Sequence, residues 1–531
     1  MKNLYTSELT KSHYDAIIIG SGLGGLTTAV FLAKEGKKVL VLEKHYVPGG
    51  FTHTFKRKKF EWDVGVHYVG QVNIEDNLLR KAFDYLSEGK LKWADMGEVY
   101  DQAIIEGDTY NFKKGRENQI DQMIAYFPEE EKAIRAYYDL VKKIGANYIM
   151  FFSERTMPYW LSKTIGYFLR RKFYKYSQQT TYAVLRDLTS NEKLITVLCA
   201  QCGNYGLAPK KSSFAIHGMI VEHFLEGGNY PIGGASSIHK YLIYNIEANN
   251  GKIAIKAEVK NIIIENNKAV GVKMKNGDNL YASKIVSNAG AYNTFNTLIP
   301  KALQKTGNTL ELNKIKSSVS HVCMYIGLNT SDEELKLPKH NIWLYDNYQL
   351  DSTHDKHLET PDSTSPLTYI SFPSAKDPDW QKKHPGTATI QVIGSYPFNW
   401  MKEWESQQWQ KRDINYEQKK EEIKNILLEK LYAAVPQIKG KVEICELSTR
   451  LSTKHFSNYT SGEIYGLEHT PQRFNLKQLR AKTNYKNLYL TGQDIVCVGV
   501  GAAVFSGIIT SVSLLKKNLL WNIYRYKAEK N

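Results

Sequence analysis

Tyr14-Asp15-Ala16-Ile17-Ile18-Ile19-Gly20-Ser21-Gly22-Leu23-Gly24-Gly25-Leu26, followed by Thr27 to Lys34, Gly36 and the apolar Lys38 to Leu42, decides the fold. A short apolar run leading into glycines reads as a buried strand. Leu26 to Lys34 has helical composition, and Gly36 suits its C-terminal end. Lys38 to Leu42 is a second buried strand, so the stretch is one β-α-β unit of a parallel sheet. The turn carries G-x-G-x-x-G in the context the motif requires. Gly20 permits the tight turn, Gly22 lets backbone approach a pyrophosphate, and Gly25 lets helix and strand pack closely. The helix N-terminus then offers free N–H groups and a positive dipole end to phosphates. Glu43 stands 23 positions after Gly20, at the end of the second strand. There it can accept ribose hydroxyls and would repel a 2′-phosphate.

Two further segments favour FAD over NAD. Val47-Pro48-Gly49-Gly50 provides a turn beside which an extended dinucleotide can pass. Near the C-terminus, Leu488-Tyr489-Leu490-Thr491-Gly492-Gln493-Asp494 reads as strand, glycine and acid, and Gly499-Val500-Gly501-Ala502 then opens a helix. Such an acid can bind a ribityl hydroxyl. The helix N-terminus can stabilise negative charge at the N1–O2 edge of a reduced flavin.

Nucleotide-binding signatures therefore lie at both ends of the chain. Between them, Ile253 to Ile255, Val259 to Ile264 and Ala269 to Met274 read as strands punctuated by Asn249-Asn250-Gly251 and Asn276-Gly277. Residues 75–225 read as largely helical, 352–365 as a polar surface loop, and Glu417 to Ala434 as an amphipathic helix. The expected fold is α/β. It has a discontinuous Rossmann-type FAD domain of the two-dinucleotide-binding kind (1–72, 228–300 and 440–515), an inserted α+β substrate-binding and membrane-docking domain (73–227 and 301–439), and a basic tail at 516–531.

Composition narrows the classes. Hydrophobic residues at 42% and charged residues at 23% describe a globular chain and exclude a disordered one. The net charge of +16 points to an anionic surface, and membrane lipid fits better than nucleic acid, because no nucleic-acid motif accompanies the charge. Five cysteines, with a lone Cys199-x-x-Cys202, argue for buried thiols, a reducing compartment and no metal site. Met1 to His13 is polar, so no secretory signal is expected. Ile495 to Leu515 carries no charge, yet its glycines and hydroxyl residues read as a buried helix rather than a membrane span.

Longer stretches carry a family resemblance: Gly49-Gly50-Phe51-Thr52-His53-Thr54-Phe55, Phe60 to Gly70, Gly203 to Gly206, Lys211 to Phe214, Gly227 to Gly234, Val286 to Gly290, Ser374 to Pro378, Tyr465 to His469 and Tyr489 to Asp494. Together they span nearly the whole chain. The chain resembles the flavin amine oxidase and phytoene desaturase superfamily, and within it the retinol saturases. The resemblance implies noncovalent FAD, with NAD(P)H as a candidate electron donor. It implies that Gly20, Gly22, Gly25 and Glu43, with Lys44 alongside, hold the ADP half, and that Gly49 and Gly50 lie along the pyrophosphate and ribityl chain. Val259 would meet adenine through its backbone, and Gly492, Asp494, Gly501 and Ala502 would meet the ribityl chain and isoalloxazine. The implied activity is reduction of a conjugated C=C in a hydrophobic polyene. Desaturation and cis–trans isomerisation are the alternatives on such a site, and a non-catalytic prenyl-binding escort is the rival from another class.

Alkene reduction needs a hydride and a proton. His53, His67 and Tyr68 lie in segments expected beside the flavin and are the candidate catalytic residues. His217 and His223 read as packing residues. Phe151 to Tyr176 sets Tyr159, Trp160, Tyr167 and Phe168 beside Arg170-Arg171-Lys172, and Lys516, Lys517, Trp521, Tyr524 and Arg525 repeat the theme. Rings beside cations suit a bilayer interface, so the expected location is cytoplasmic with peripheral membrane contact. The oligomeric state stays open.

Overall fold

A computed structural model describes residues 3–157, 159–305, 307, 311–360 and 365–526. Pro158, the side chains of Tyr159 and Trp160, residues 361–364 of the expected loop, and residues 1–2 and 527–531 lie outside the described set. Tyr14–Ile19 is the central strand, buried everywhere except Asp15. Val39–Leu42 pairs with it in parallel, Ile18 beside Val41, and Lys252–Ala254 adds on in parallel. On the other side Asn279–Ser287 runs parallel, Ile17 beside Ile285, and carries Leu488–Leu490 near its C-terminal end. The apolar runs Ile17–Ile19 and Val39–Leu42 follow from burial on both faces. Antiparallel Lys268–Met274 and Val259–Glu265 complete seven strands. Their turn is Asn266-Asn267, both at positive φ, the conformation a two-residue hairpin of this twist demands.

Two helices cover one face of this sheet. Leu23–Lys34 is buried from Leu23 to Ala33, and Val500–Leu515 packs across it. A Cβ on Gly507 would stand 2.5 Å from Thr27 Cβ and 2.8 Å from the Gly24 carbonyl oxygen, so glycine sets how closely the helices cross. Among the described residues no helix is long and apolar enough to cross a membrane.

The second sheet also has seven strands, in the order Val442–Ser448, His321–Leu328, Ala388–Ser395, Leu367–Ser371, Asn341–Tyr345, Val99–Ile105, Asp108–Lys113. The last two, with Trp93–Asp95, lie inside 75–225, which is therefore less helical than its composition suggested. Val99–Ile105 and Asp108–Lys113 form a hairpin around Glu106-Gly107, both at positive φ. Leu350–Glu359 is helical where a loop was expected. The short hairpin Thr54–Arg57 with Phe60–Asp63 ties this sheet down: Trp62 Nε1 donates to the Ile326 carbonyl at 2.9 Å, and Gln391 Nε2 donates to the Asp63 carbonyl at 2.6 Å.

Candidate functional site

One cavity of about 1390 Å³ runs from the glycine turn of the first sheet to the face of the second. Gly20, at φ +93, reverses the chain, and a Cβ on Gly25 would lie 2.3 Å from the Gly20 carbonyl oxygen. Gly25 therefore sits behind the turn, where it brings helix against strand. Every other candidate cofactor residue lines the cavity: Gly20, Gly22, Glu43, Lys44, Gly49, Gly50, Val259, Gly492, Asp494, Gly501 and Ala502. The N-terminal ends of Leu23–Lys34 and Val500–Leu515 both open here, capped by Gly22 and Gly499 without any side-chain hydrogen bond. Two sets of unused helix N–H groups thus face one space, a donor arrangement suited to anionic ligand groups.

Glu43 is braced rather than free. Its Oε2 accepts from the Ser21 backbone N–H at 2.8 Å and from Ser21 Oγ at 2.6 Å, and its Oε1 accepts from the His45 N–H at 2.8 Å. Ser21 Oγ accepts in turn from the Gly49 N–H at 2.9 Å, which links the first turn to the Gly49-Gly50 turn. Lys44 donates to the His455 carbonyl at 2.7 Å and to Asn458 Oδ1, and desolvation lowers its pKa. Asp494 is buried and spends both oxygens on backbone, Oδ2 on the Ala291 N–H at 2.7 Å and Oδ1 on the Leu467 N–H at 3.1 Å. It fixes the crossing of three segments at the cavity wall.

Asn288, which went unrecognised in sequence, is the hub. A Cβ on Gly22 would come within 2.8 Å of its Nδ2, and Cβ atoms on Gly24 or Gly492 within 2.9 and 2.6 Å of its Oδ1. The glycines of both turns leave room for this one amide as well as for a ligand.

The candidate catalytic residues separate. His53 Nδ1 lies 2.5 Å from the Gly50 carbonyl, and its ring stands 4.8 Å from that of His45, on the Glu43 side of the cavity. Desolvation lowers its pKa. His67 and Tyr68 lie at the other end, among Trp343, Tyr345, Tyr369 and Phe224. His67 packs edge-on to Tyr369, and burial pushes it down to about 3, so it is neutral at physiological pH and holds no imidazolium proton to give. His321, at the start of its strand, lines the same chamber and is pushed down to about 4 by burial. The Nδ1 atoms of His67 and His321 are both buried without a hydrogen-bond partner. Tyr68 stacks on Phe224 at 4.0 Å, and its hydroxyl donates to Asp101 at 2.8 Å. His217 and His223 have the packing surroundings expected: Tyr137 and Tyr205 hold His217, and the Gly70 N–H donates to His223, which also lines the cavity.

The family described as NAD(P)-binding Rossmann-like domain matches residues 18–86. The all-trans-retinol 13,14-reductase of Danio rerio is 33% identical across 98% of this chain and 89% of its own length. The chain belongs to the all-trans-retinol 13,14-reductase family. Prolycopene isomerase 1 of an Oncidium hybrid cultivar is a more distant relative, 27% identical over 93% of this chain and 83% of its own. Cyclohexylamine oxidase from Brevibacterium oxydans IH-35A shares the fold, with a TM-score of 0.61 at 15% identity over 95% of this chain and 99% of that one. For a member of this reductase family, the residues missed in sequence are those that long-range pairing delivers. Asn288 follows the strand Asn279–Ser287 and stood only within the resembling stretch Val286 to Gly290, with no role assigned to it. His321 had a weak signal, as the basic group at the start of a mostly apolar strand.

Proposed function

We propose that this chain is an FAD-dependent oxidoreductase that adds hydrogen across a conjugated C=C of a hydrophobic polyene. The observation that carries the reading is continuity. A polar end, with Glu43 and two uncapped helix N-termini, and an aromatic end share one space of about 1390 Å³. That exceeds the roughly 300–1,000 Å³ of a single-ligand pocket, and leaves room for a dinucleotide and a second molecule. Glu43 and Lys44 would hold the ADP half, Gly20, Gly22, Gly49 and Gly50 the pyrophosphate, Val259 the adenine, and Gly492, Asp494, Gly501 and Ala502 the flavin end. The bound flavin would supply hydride, with NAD(P)H as its source of electrons. The chain's own residues orient the polyene between Trp343, Tyr345 and Tyr369, exclude water, and hold a proton at the Tyr68 oxygen.

The test is an anaerobic incubation of the flavin-loaded protein with retinol or a carotenoid, with NADH, NADPH and photoreduced flavin as separate electron sources. A product two hydrogens heavier supports saturation. Loss of two hydrogens means desaturation, and an unchanged mass means isomerisation.

We further propose peripheral docking on anionic lipid on the cytoplasmic side. Ile149, Met150, Ile165, Tyr167 and Phe168 are exposed beside Arg171 and Lys172. Tyr148 lines the cavity next to this patch and feels the electrostatic influence of Tyr524, on the C-terminal helix that also exposes Trp521. Apolar rings flanked by cations beside a cavity-lining residue suit uptake of a substrate that lives in a bilayer.

A further inference from the structure

Tyr68 faces the cavity on one side and a closed polar network on the other. Its oxygen donates to Asp101 Oδ2 at 2.8 Å and accepts from Asn204 Nδ2 at 3.0 Å. Asp101 is fully buried. Its Oδ2 also accepts from Gln201 Nε2 at 2.6 Å, and its Oδ1 accepts from Asn341 Nδ2 at 2.8 Å. Asn341 faces Asp101 in register across the parallel pair of Asn341–Tyr345 with Val99–Ile105, so the sheet itself aims that amide. Asn341 Oδ1 accepts from Lys376 Nζ, a buried ammonium that also donates to Ser371 Oγ at 2.8 Å and to the His67 carbonyl at 3.1 Å.

The chain of contacts has a direction. Gln201 and Asn341 are amides that donate to Asp101 and cannot relay a proton, so the proton of Asp101 has one route out, the Tyr68 oxygen, which lines the cavity. We propose that Asp101 is the proton store of the site, reprotonating Tyr68 as Tyr68 protonates the substrate carbon, and that Lys376 positions it through Asn341. This rests on the reading of the chain as a flavin-linked C=C reductase.

The step balances. A bound reduced flavin would supply the hydride, and with it both electrons, for the first C–H bond, and the electron pair of the double bond would remain on the neighbouring carbon. That carbon takes the Tyr68 hydroxyl proton as the O–H bond breaks. The Tyr68 oxygen, steadied by Asn204, takes the Asp101 carboxyl proton, and Asp101 is left as a carboxylate held by Gln201 and Asn341. After the product leaves, a solvent proton entering through the cavity restores Asp101 by the reverse route.

Burial raises Asp101 to about 6 against the pull of its donors, whereas desolvation holds Tyr68 well above its usual range. Tyr100 and Tyr369 also face Asp101, and Asp63, His67 and His340 face Lys376. Burial lowers Lys376 to about 7.

Infrared difference titration of the flavin-loaded protein without substrate tests the store directly. The wild type should show a buried carboxylic C=O band with a midpoint near 6 that disappears in Asp101→Asn and moves in Tyr68→Phe. Lys376→Met should raise that midpoint, because removing a nearby cation disfavours the carboxylate; a merely structural lysine would leave it in place. In single turnover, Asp101→Asn should retain flavin and slow substrate-driven flavin reoxidation by about 10²–10⁴-fold. No Asp101-dependent band, or a variant that reoxidises at the wild-type rate with the wild-type pH profile, overturns the proposal. A wild-type product without two added hydrogens overturns the reductase reading instead. If Asp101→Asn fails to retain flavin, the band in Tyr68→Phe and its midpoint in Lys376→Met decide the matter.

Discussion

Glu43→Gln separates two roles that one carboxylate combines. In the protein, Glu43 accepts three hydrogen bonds, at 2.8, 2.6 and 2.8 Å, from the Ser21 N–H, the Ser21 hydroxyl and the His45 N–H. The glutamine side chain has nearly the same shape but only one acceptor oxygen. If that oxygen faces Ser21, the new NH₂ group confronts the His45 N–H; if the amide flips, it confronts the Ser21 N–H. The Ser21 hydroxyl can turn, but one backbone N–H loses its acceptor, which costs about 1–3 kcal/mol. The cofactor-free protein should therefore be destabilised by that amount in a urea titration. The variant should also bind FAD more weakly by a further roughly 1–3 kcal/mol, the share of a charge-assisted bond to the ribose, or about 5- to 150-fold in Kd. Isothermal titration with FAD at a temperature where both apoproteins are folded measures the second effect alone. Lower stability with unchanged FAD affinity would make Glu43 a brace for the turn and refute its role at the ribose.

Tyr68→Phe should slow substrate-driven flavin reoxidation by about 10²–10⁴-fold, and His67→Phe by no more than about tenfold; equal losses in stopped flow would return the proton to the histidine. Gly25→Ala puts a methyl 2.3 Å from the Gly20 carbonyl oxygen. The backbone must yield, at a cost of about 1–3 kcal/mol, seen as a lower melting temperature and loss of flavin on gel filtration. Acid should unfold the protein early: burial holds His67 and His217 near 3 and His223 and His321 near 4, well below the 6.5 of an exposed histidine. Their unfolded forms bind more protons, so each removes about 2.2 kcal/mol of stability as pH falls from 6.5 to 4.5. Asp63, raised by burial to about 7, and Asp101, raised to about 6, act in the opposite sense, but the four histidines outweigh them; a melting temperature flat across this window would refute the neutral assignments. Phe168→Asp, at a side chain 70% exposed, should weaken cosedimentation with anionic vesicles, and 1 M salt should weaken it further as the screening length falls to about 3 Å.

The β-α-β unit and the C-terminal glycine segment were legible because their signals are local. A strand, a turn at positive φ and a helix start need only neighbouring residues, and Glu43 sits where the second strand must end. The hairpin at Val99–Lys113 also carried a local signal, the Glu106-Gly107 turn between apolar-polar alternations, but it was hidden in a stretch rich in helix-forming residues. Asp101 illustrates what sequence could not reveal. It meets Asn341 only because two strands 240 positions apart pair in parallel, and it meets Tyr68 only because the segment that carries Tyr68, 33 positions earlier, lies along the cavity wall. Nothing in the local sequence of Val99–Ile105 distinguishes this aspartate from one facing solvent. Lys376 is similar: Ser374 to Pro378 carried only the family resemblance and assigned it no role, and packing shows it buried with its ammonium on Asn341. The helix at Leu350–Glu359 was missed because it is polar, with His357 its one buried residue, so it carries almost no apolar period to read.

The pattern of ionisation inside the cavity bears on whether such a chamber catalyses or merely shelters. At its aromatic end burial drives every titratable group toward the neutral form, with His67 and His321 held low and Tyr68 and Tyr369 held high. That suits an apolar polyene, and a carrier would need nothing more. Asp101 is driven the same way, up to about 6, but stays close enough to neutrality to exchange its proton. A fully buried carboxyl is costly unless its hydrogen bonds are satisfied, and here three donors and a lysine two contacts away are arranged to satisfy it, at the one place where a cavity-facing hydroxyl can draw on its proton. A phenylalanine at Tyr68 and an apolar residue at Asp101 would line and seal the same space without that cost. Retaining an acid of neutral-range affinity behind a dry chamber makes chemical sense when charge has to appear in the chamber and be cancelled there. Proton delivery to carbon in an alkene reduction imposes that demand, and passive binding of a hydrocarbon does not.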